Sequence, residues 1–334
     1  MKRKDKEQAS GGRLTMSDLA GLAGVSKITV SRALGDSPYV NAATRERVRA
    51  LAAEHGYKLN ISARNLRLRQ SHTIAVIVEM TPSAGRPMSD PYPLELLGGI
   101  TQELTTLGYS LLLTTRQGAG APAVQAADGV ILLGQGAHQD AVHLFDRLQL
   151  PMVVWGAAPT DAAHVVVGSD NRQGGSLAAE RFLALARRHP VFLGDPDHPE
   201  PAERLAGFRA ALAARRIEPR VARRTEWTLE AGMQTVQALI RDKIHFDAIF
   251  ACNDLLAMGA VRALIEHGLR VPEDVSVIGY DDTPLAAAFI PPLSSVHQNW
   301  REGGALLARK VLALTRGEDA ASETLASALV VRGT

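Results

Sequence analysis

From residue 72 onward the chain alternates short apolar runs with amphipathic stretches, and that alternation leaves few folds open. The apolar runs are Ile74–Val78, Ser110–Leu113, Val130–Leu133, Met152–Trp155, Val191–Leu193, Ala248–Phe250 and Val275–Ile278. Their length and spacing read as strands. Between them lie Leu94–Leu107, Gly174–Ala186, Glu203–Ala214, Ala231–Arg241, Leu255–His267 and Glu302–Leu314, which read as helices. Strands alternating with helices form right-handed βαβ units, and these need parallel sheets covered on both faces. The number of strands suits two sheets better than one. One connection is unusual: residues 115–129 join two strands and include Gly-Ala-Gly-Ala-Pro, so a crossover helix there must be very short.

The N-terminal segment follows a different pattern. Residues 1–13 mix charged and small residues without periodicity and read as a disordered basic leader. Residues 14–56 give three short helical patterns with no strand between them. Thr15 with Asp18 forms a variant capping box for Met16–Ala23, and Gly24 breaks that helix. Ser26 caps Lys27–Leu34, while Asn41 caps Ala42–His55 with Gly56 as terminator.

In MSDLAGLAGVSKITVSRALG the residue sizes fall where a helix-turn-helix needs them. Ala20 is small at the helix crossing, and Gly24 sits in the turn, where a left-handed backbone is least costly. Leu19, Ala23, Val25, Val30 and Leu34 close one apolar face, leaving Lys27, Ile28, Ser31 and Arg32 outward for a major groove. Arg suits bidentate readout of guanine. Thr15, Ser26, Thr29, Asn41 and Thr44 lie near helix starts, where hydroxyl and backbone N–H groups hold phosphates. Charge agrees with this reading. Residues 1–70 carry fourteen Lys/Arg against six Asp/Glu, a net +8, whereas the rest is net −6. A basic head on an acidic body points to a polyanion partner for the head alone.

The segments LTMSDLAGLAGVSKITVSRAL, VNAATRERVRALAAEHGYKLN and ISARNLRLRQSHTIAV resemble the lactose-repressor/galactose-repressor (LacI/GalR) family of bacterial transcriptional regulators. The likeness continues through DPYPLELLGGI, GSDNRQGG, ERLAGF, AIFACNDLLAMGAV, LRVPEDVSVIGYDDTPLA and IPPLSSVHQNW, covering roughly residues 14–331 in family order. The resemblance implies a small all-α helix-turn-helix headpiece over 14–59 and a hinge helix and linker over 60–71. Residues 72–334 become an α/β, periplasmic-binding-protein-like body of two doubly wound parallel-sheet subdomains. The N-subdomain is expected at about 72–168 plus 297–318, and the C-subdomain at about 169–296 plus 319–334.

In the hinge, the resemblance implies DNA contacts from Asn60 and Ala63 and a minor-groove wedge at Leu66, flanked by Arg64, Arg67 and Arg69. Without it, Leu66 reads as one core leucine of a linker helix. Two departures touch this region: Gly35 replaces a common asparagine, and Leu59 replaces the usual proline before Asn60.

In open α/β sheets ligands bind beyond the carboxyl ends of the strands. By that rule Asn253 and Asp281 are candidates, with Arg204 at a helix start and Gln298 and Trp300 in a return connection. Carboxylate, amide, guanidinium and aromatic groups together suit a polyol. The resemblance assigns ligand contact to Arg204, Asn253, Asp281 and Gln298, aromatic positions to Trp227 and Trp300, and a first-subdomain contact to Pro91 and Tyr92. Asp254 and Asp282 read as caps or latches outside the pocket. Trp155 is either pocket wall or core. Gly156-Ala157 stand where related sugar sensors often carry an acid and an arginine, so space for a bulkier ligand, a disaccharide or glycoside, is expected there.

The expected protein is therefore a repressor released from double-stranded operator DNA by a small sugar-like effector. The alternative with the same fold is a purine-like corepressor that strengthens DNA binding. A sugar-binding protein or sugar-cleaving enzyme without a DNA role fits poorly, because residues 14–69 would have no use and no paired-carboxylate motif is present. No catalytic residue, cofactor or metal is expected: the histidines show no ligand spacing, and phosphate-loop and Rossmann fingerprints are absent. The single cysteine, Cys252, excludes an internal disulfide and reads as a structural thiol. No apolar run approaches a membrane span and no secretory signal opens the chain, so a soluble cytoplasmic protein is expected. With no leucine-heptad tail after Val331, the expected assembly is a homodimer.

Overall fold

The caps read from sequence set the ends of the first three helices in the computed structural model. The structure describes residues 14–35, 37–57, 70–80, 88, 90–157, 164–223 and 226–334. Helix α1 is Met16–Ala23, α2 is Lys27–Leu34 and α3 is Ala42–Glu54. At α1 the capping box is reciprocal: Asp18 N–H donates to Thr15 Oγ1 at 3.3 Å, and Thr15 N–H donates to Asp18 Oδ2 at 2.9 Å. Gly24 turns the chain at φ 62°. Ser26 and Asn41 accept from the Thr29 and Thr44 N–H groups at 3.1 and 2.8 Å. Leu19, Ala20, Ala23, Val30, Ala33, Val40, Val48 and Ala52 form the core of this unit, with Val25 and Leu34 half-buried beside it. Helix α3 stops at Glu54, one residue before the expected end, and Gly56 follows with φ 60°.

The chain divides into two compact units at Arg69/Gln70. The second unit holds two six-stranded sheets. The first sheet comprises β1 (Thr73–Val78), β2 (Ser110–Thr115), β3 (Gly129–Leu133), β4 (Met152–Trp155), β5 (Val165–Ser169) and β11 (Glu323–Leu325), in the order β11-β5-β4-β3-β1-β2 and parallel throughout. The second comprises β6 (Pro190–Leu193), β7 (Arg220–Ala222), β8 (Ala248–Ala251), β9 (Ser276–Asp281), β10 (Ser294–His297) and β12 (Ala328–Val330). Its order is β12-β10-β9-β8-β6-β7, with only β12 antiparallel to its neighbour.

Helices α4 (Pro91–Thr106), α5 (Pro122–Gln125), α6 (Asp140–Asp146) and α12 (Trp300–Thr315) serve the first sheet, and α7 (Asn171–Ala184), α8 (Pro199–Ala213), α9 (Leu229–Arg241), α10 (Asp254–Glu266) and α11 (Pro284–Ala288) the second. The connection 115–129 holds a 3-10 turn and the four-residue α5, as its length requires. One expected boundary is corrected. Residues 319–334 do not all belong to the second subdomain, because Glu323–Leu325 pairs in parallel with β5 on the first sheet. The chain crosses back only before β12.

Helix pairs meet at glycines. A Cβ on Gly207 of α8 would strike the Arg172 carbonyl of α7, and one on Gly175 of α7 would strike the Arg204 carbonyl of α8. These contacts bring α8 against α7 at backbone distance and hold the segment that carries Arg204. Gly99 makes the same kind of approach between α4 and α12, whereas Gly98 faces open space. Among the described residues no helix is long and apolar enough to cross a membrane.

Candidate functional site

In the first unit, α2 presents Lys27, Ile28 and Arg32 to solvent, with Ile28 60% exposed, while Ser31 is half-buried. Several of the hydroxyl and amide groups near helix starts are already used locally. Thr15 Oγ1 donates to Asp18 at 2.6 Å, Ser26 and Thr29 hydroxyls share a hydrogen bond of 2.9 Å, and Asn41 caps α3. Their helix ends still offer N–H groups and a positive dipole end. Sequence reasoning passed over Tyr39, an exposed ring whose centroid lies 5.8 Å from the Arg32 guanidinium. It sits in the turn between α2 and α3, in a DSPYV stretch with no helical or strand period to mark it. Asn60, Ala63 and Leu66 lie outside the described residues.

In the second unit a cavity of about 290 Å³ opens at the carboxyl ends of both sheets. Tyr92, Arg204, Trp227, Asn253, Asp281 and Gln298 line it together. Arg204, 4% exposed, is fixed on three sides. Its Nε donates to Asn171 Oδ1 at 2.8 Å, its Nη1 to the Cys252 carbonyl, and its guanidinium carbon lies 3.6 Å from the Tyr280 ring centroid. Asn253 caps α10 through the Leu256 N–H at 2.9 Å and donates to the Trp227 carbonyl at 3.3 Å.

Asp281 ends β9 with φ 115°, a left-handed geometry that swings the chain at the strand end. Its carboxylate accepts from Gln298 Nε2 at 2.7 Å. Burial, reinforced by the charge of Asp254, holds the Asp281 carboxyl well above the ordinary range, and the Arg204 charge opposes them. Asp254 lies behind the wall. It accepts from the Thr283 N–H and hydroxyl at 2.8 and 2.9 Å and from the Ser295 hydroxyl at 2.6 Å, and burial pushes its carboxyl up to about 6. Asp282 instead accepts from Arg332 at 2.6 Å and meets His297 at 3.1 Å.

Three expectations for this cavity change. Pro91 does not line it, because it opens α4, and Asp90, the cap of that helix, takes the wall position. Trp300 is also not a wall. It packs edge-on behind Tyr92 with ring centroids 6.0 Å apart, inside the first subdomain's core. Nor is the space beside Gly156 vacant. Gln135 fills it, pairing with Ala157 through N–H···Oε1 at 2.8 Å and Nε2–H···O at 3.0 Å. Trp155 is both core and cavity wall.

Residues that sequence reasoning missed come mainly from the first subdomain. Arg116 Nη1 donates to Glu79 Oε1 at 2.7 Å, and Nη2 donates to Asp140 Oδ2 at 2.8 Å. Burial raises the Glu79 carboxyl despite the Arg116 hydrogen bond and charge. His198 faces the edge of Trp227 with ring centroids 5.5 Å apart. The two walls also touch directly, since the His138 N–H donates to the Asp197 carbonyl at 3.0 Å.

Comparison with known proteins agrees with this geometry. Residues 15–60 match the family described as bacterial regulatory proteins, lacI family, and residues 179–334 match a periplasmic binding protein-like domain. The chain is 33% identical over 319 residues to the HTH-type transcriptional regulator CelR of Thermobifida fusca, covering 92% of this chain and 93% of CelR. A structure of the lac repressor dimer bound to operator and the anti-inducer ONPF superposes with a TM-score of 0.84 at 29% identity, covering 97% of this chain and 99% of the other. A complex of CelR with cellobiose gives 0.70 at 31% identity, covering 96% and 99%.

Proposed function

The chain is a member of the lacI family of bacterial regulatory proteins, and on that premise we propose that it is a transcriptional repressor released from operator DNA by a carbohydrate effector. The observation that carries this reading is the convergence of Arg204, Asn253, Asp281 and Gln298 with Trp227 in one cavity beyond the strand ends. Arg204 is pre-oriented to donate, Asp281 to accept, and the aromatic faces to cover ring C–H groups. Such a set suits hydroxyls on adjacent carbons. No catalytic step is assigned to these groups.

On the DNA side, Lys27, Ile28, Ser31 and Arg32 read base edges. Thr15, Ser26, Thr29, Asn41 and Thr44 set the headpiece on phosphates, while Asn60 and Ala63 contact the DNA and Leu66 is the minor-groove wedge. The working form is a homodimer in the cytoplasm, each headpiece taking half of a pseudo-palindromic operator. The cavity draws its walls from both subdomains, so a ligand binds one subdomain angle better than another. Operator affinity then changes by the ratio of effector affinities for the two states.

An operator titration by fluorescence anisotropy, with and without cellobiose and a panel of glycosides, tests this. An active sugar is expected to weaken operator binding by roughly five- to 150-fold, the usual span of allosteric coupling. Strengthened binding would identify a corepressor and overturn release.

A further inference from the structure

The connection over 115–129, too short for an ordinary crossover helix, delivers a carboxylate to the amino end of β3. Asp128 is half-buried there, between Ala127, which packs in the core, and Gly129, where a Cβ would crowd Val311 and the Pro151 carbonyl. It takes hold of the first residues of the body. Oδ1 accepts from the Ser71 N–H at 2.6 Å and from the Ser71 hydroxyl at 2.9 Å, and Oδ2 accepts from the His72 N–H at 2.8 Å. The Asp128 N–H in turn donates to the Thr73 carbonyl at 2.9 Å. His72 has φ 51°, and the successive N–H groups of Ser71 and His72 cup the carboxylate. Such a backbone is uncommon outside glycine and persists where its surroundings hold it. Beyond Asp128, the Ser110 N–H donates to the His72 carbonyl at 2.8 Å, and the His72 ring meets Tyr109 with centroids 5.2 Å apart.

This clamp stands where the chain enters the body, since Gln70 is the first residue of that unit. From it β1 and β3 run side by side, parallel and buried except at Thr73, for roughly 16–20 Å at about 3.3 Å per residue. Their far ends lie in the cavity wall. Glu79 follows β1, Gly134 and Gln135 follow β3, and the Glu79 N–H donates to the Leu133 carbonyl at 2.8 Å. One end of this strand pair therefore faces the effector, while the other fixes the direction in which the chain leaves the body.

We propose that Asp128 is the positioning residue that joins effector binding to DNA binding: it locks Ser71 and His72 to the strands that end in the cavity wall. Two buried, hydrogen-bonded strands move as one piece, so a shift of the wall moves the clamp and the residues it holds. Asp128 itself lies outside the cavity lining. This rests on the reading of an effector-released DNA-binding protein and adds the residue through which release is transmitted. Without the clamp, the residues leading out of the body have to be ordered when DNA binds, and the effector loses a fixed point to act on.

The test is Asp128→Asn in the full chain, which exchanges one acceptor for a donor at nearly the same size. Anisotropy titrations on operator and scrambled duplexes, with and without cellobiose and the glycoside panel, are paired with calorimetric titration of the same sugars. Without sugar, operator affinity is expected to fall roughly tenfold, the loss of one hydrogen bond to a charged group, with scrambled DNA changing by less than about twofold. The ratio of operator affinities without and with sugar is expected to shrink by about threefold or more, while sugar affinity stays within about twofold of wild type. A role in folding alone predicts otherwise: both operator affinities would fall by one factor and their ratio would stand. That result, an unmoved operator affinity, or a sugar affinity that falls with the rest would overturn the proposal. Ser71→Ala deletes the hydroxyl bond but neither N–H donor, and is expected to move operator affinity and the ratio the same way by about threefold. It decides the question should Asp128→Asn fail to fold. If no saccharide shifts operator binding of the wild type, the carbohydrate reading falls, and the operator and scrambled arms, which need no sugar, decide this proposal alone.

Discussion

At the scale of single residues the body buries the Asp254 carboxyl and half-buries that of Asp281, and this has a pH signature. Asp254 is held by three hydroxyl or N–H donors, yet burial still raises its carboxyl to about 6. A carboxyl whose pKa is higher in the folded than in the unfolded chain stabilises most when protonated in both states. Its contribution is present below about pH 4 and is lost as pH rises through about 6, a loss of about 2–3 kcal/mol. Asp281 acts with the same sign, for its carboxyl is raised as well. Asp254→Asn should remove the Asp254 share. Its destabilisation relative to wild type, from urea unfolding between about pH 4.5 and 8, is expected to shrink as pH rises. A difference constant across that range would show that Asp254 is charged throughout. Such residues were legible in sequence where a rule of position applies: Asn253 follows β8 and Asp281 ends β9, whereas Gln298 reads only as part of a return connection because β10 carries no apolar run. Glu79 follows a strand too, but its place in the wall is set by Arg116, itself shared with Asp140, and both come from distant parts of the chain. Nothing local to Glu79 announces that meeting.

At the scale of elements, helix placement rests on glycines that admit a neighbouring backbone. Gly207→Ala would press a methyl group into the Arg172 carbonyl, and neither partner can rotate away. The expected cost is about 1–3 kcal/mol of stability with weaker effector binding, since α8 carries Arg204. Gly21→Ala is the contrast: its site in α1 has open space around it, so the substitution should stabilise by about 0.5–1 kcal/mol. Thermal melting of both variants checks the pair, and equal shifts would refute the close-approach reading. The long central elements were readable because their apolar period is strong. Strands β7 and β12 were not, being three-residue edge strands fixed by pairing with a neighbour. Strand β10, Ser-Ser-Val-His, reads as polar although three of its four residues are buried. Its serines are satisfied by Asp254, Thr334 and Asp282, partners no local window contains. Strand β11 escaped for the same reason, and with it the true subdomain boundary.

At the scale of the whole molecule, charge and structure divide the labour at the same point. The net +8 of residues 1–70 falls wholly within the unit that ends at Arg69, since Gln70 is uncharged, and the net −6 belongs to the unit holding the cavity. A polyanion is thus attracted to one unit and repelled by the other, so DNA affinity and effector affinity can be altered separately. Arg32→Ala provides the sharpest separation. Arg32 is an exposed side chain of α2 whose guanidinium lies near the Tyr39 ring. If it reads a guanine edge, its loss should weaken operator binding by about 1–3 kcal/mol while non-specific DNA, held by phosphate contacts, changes far less. A phosphate role would give the opposite pattern: affinity for all sequences would fall alike and the salt slope would drop by about one contact. Anisotropy titrations on operator and scrambled duplexes at two salt concentrations distinguish these outcomes. In either case calorimetric sugar binding should match wild type, because none of the groups lining the cavity belongs to the N-terminal unit. Undiminished discrimination between operator and scrambled DNA would take Arg32 off the reading face.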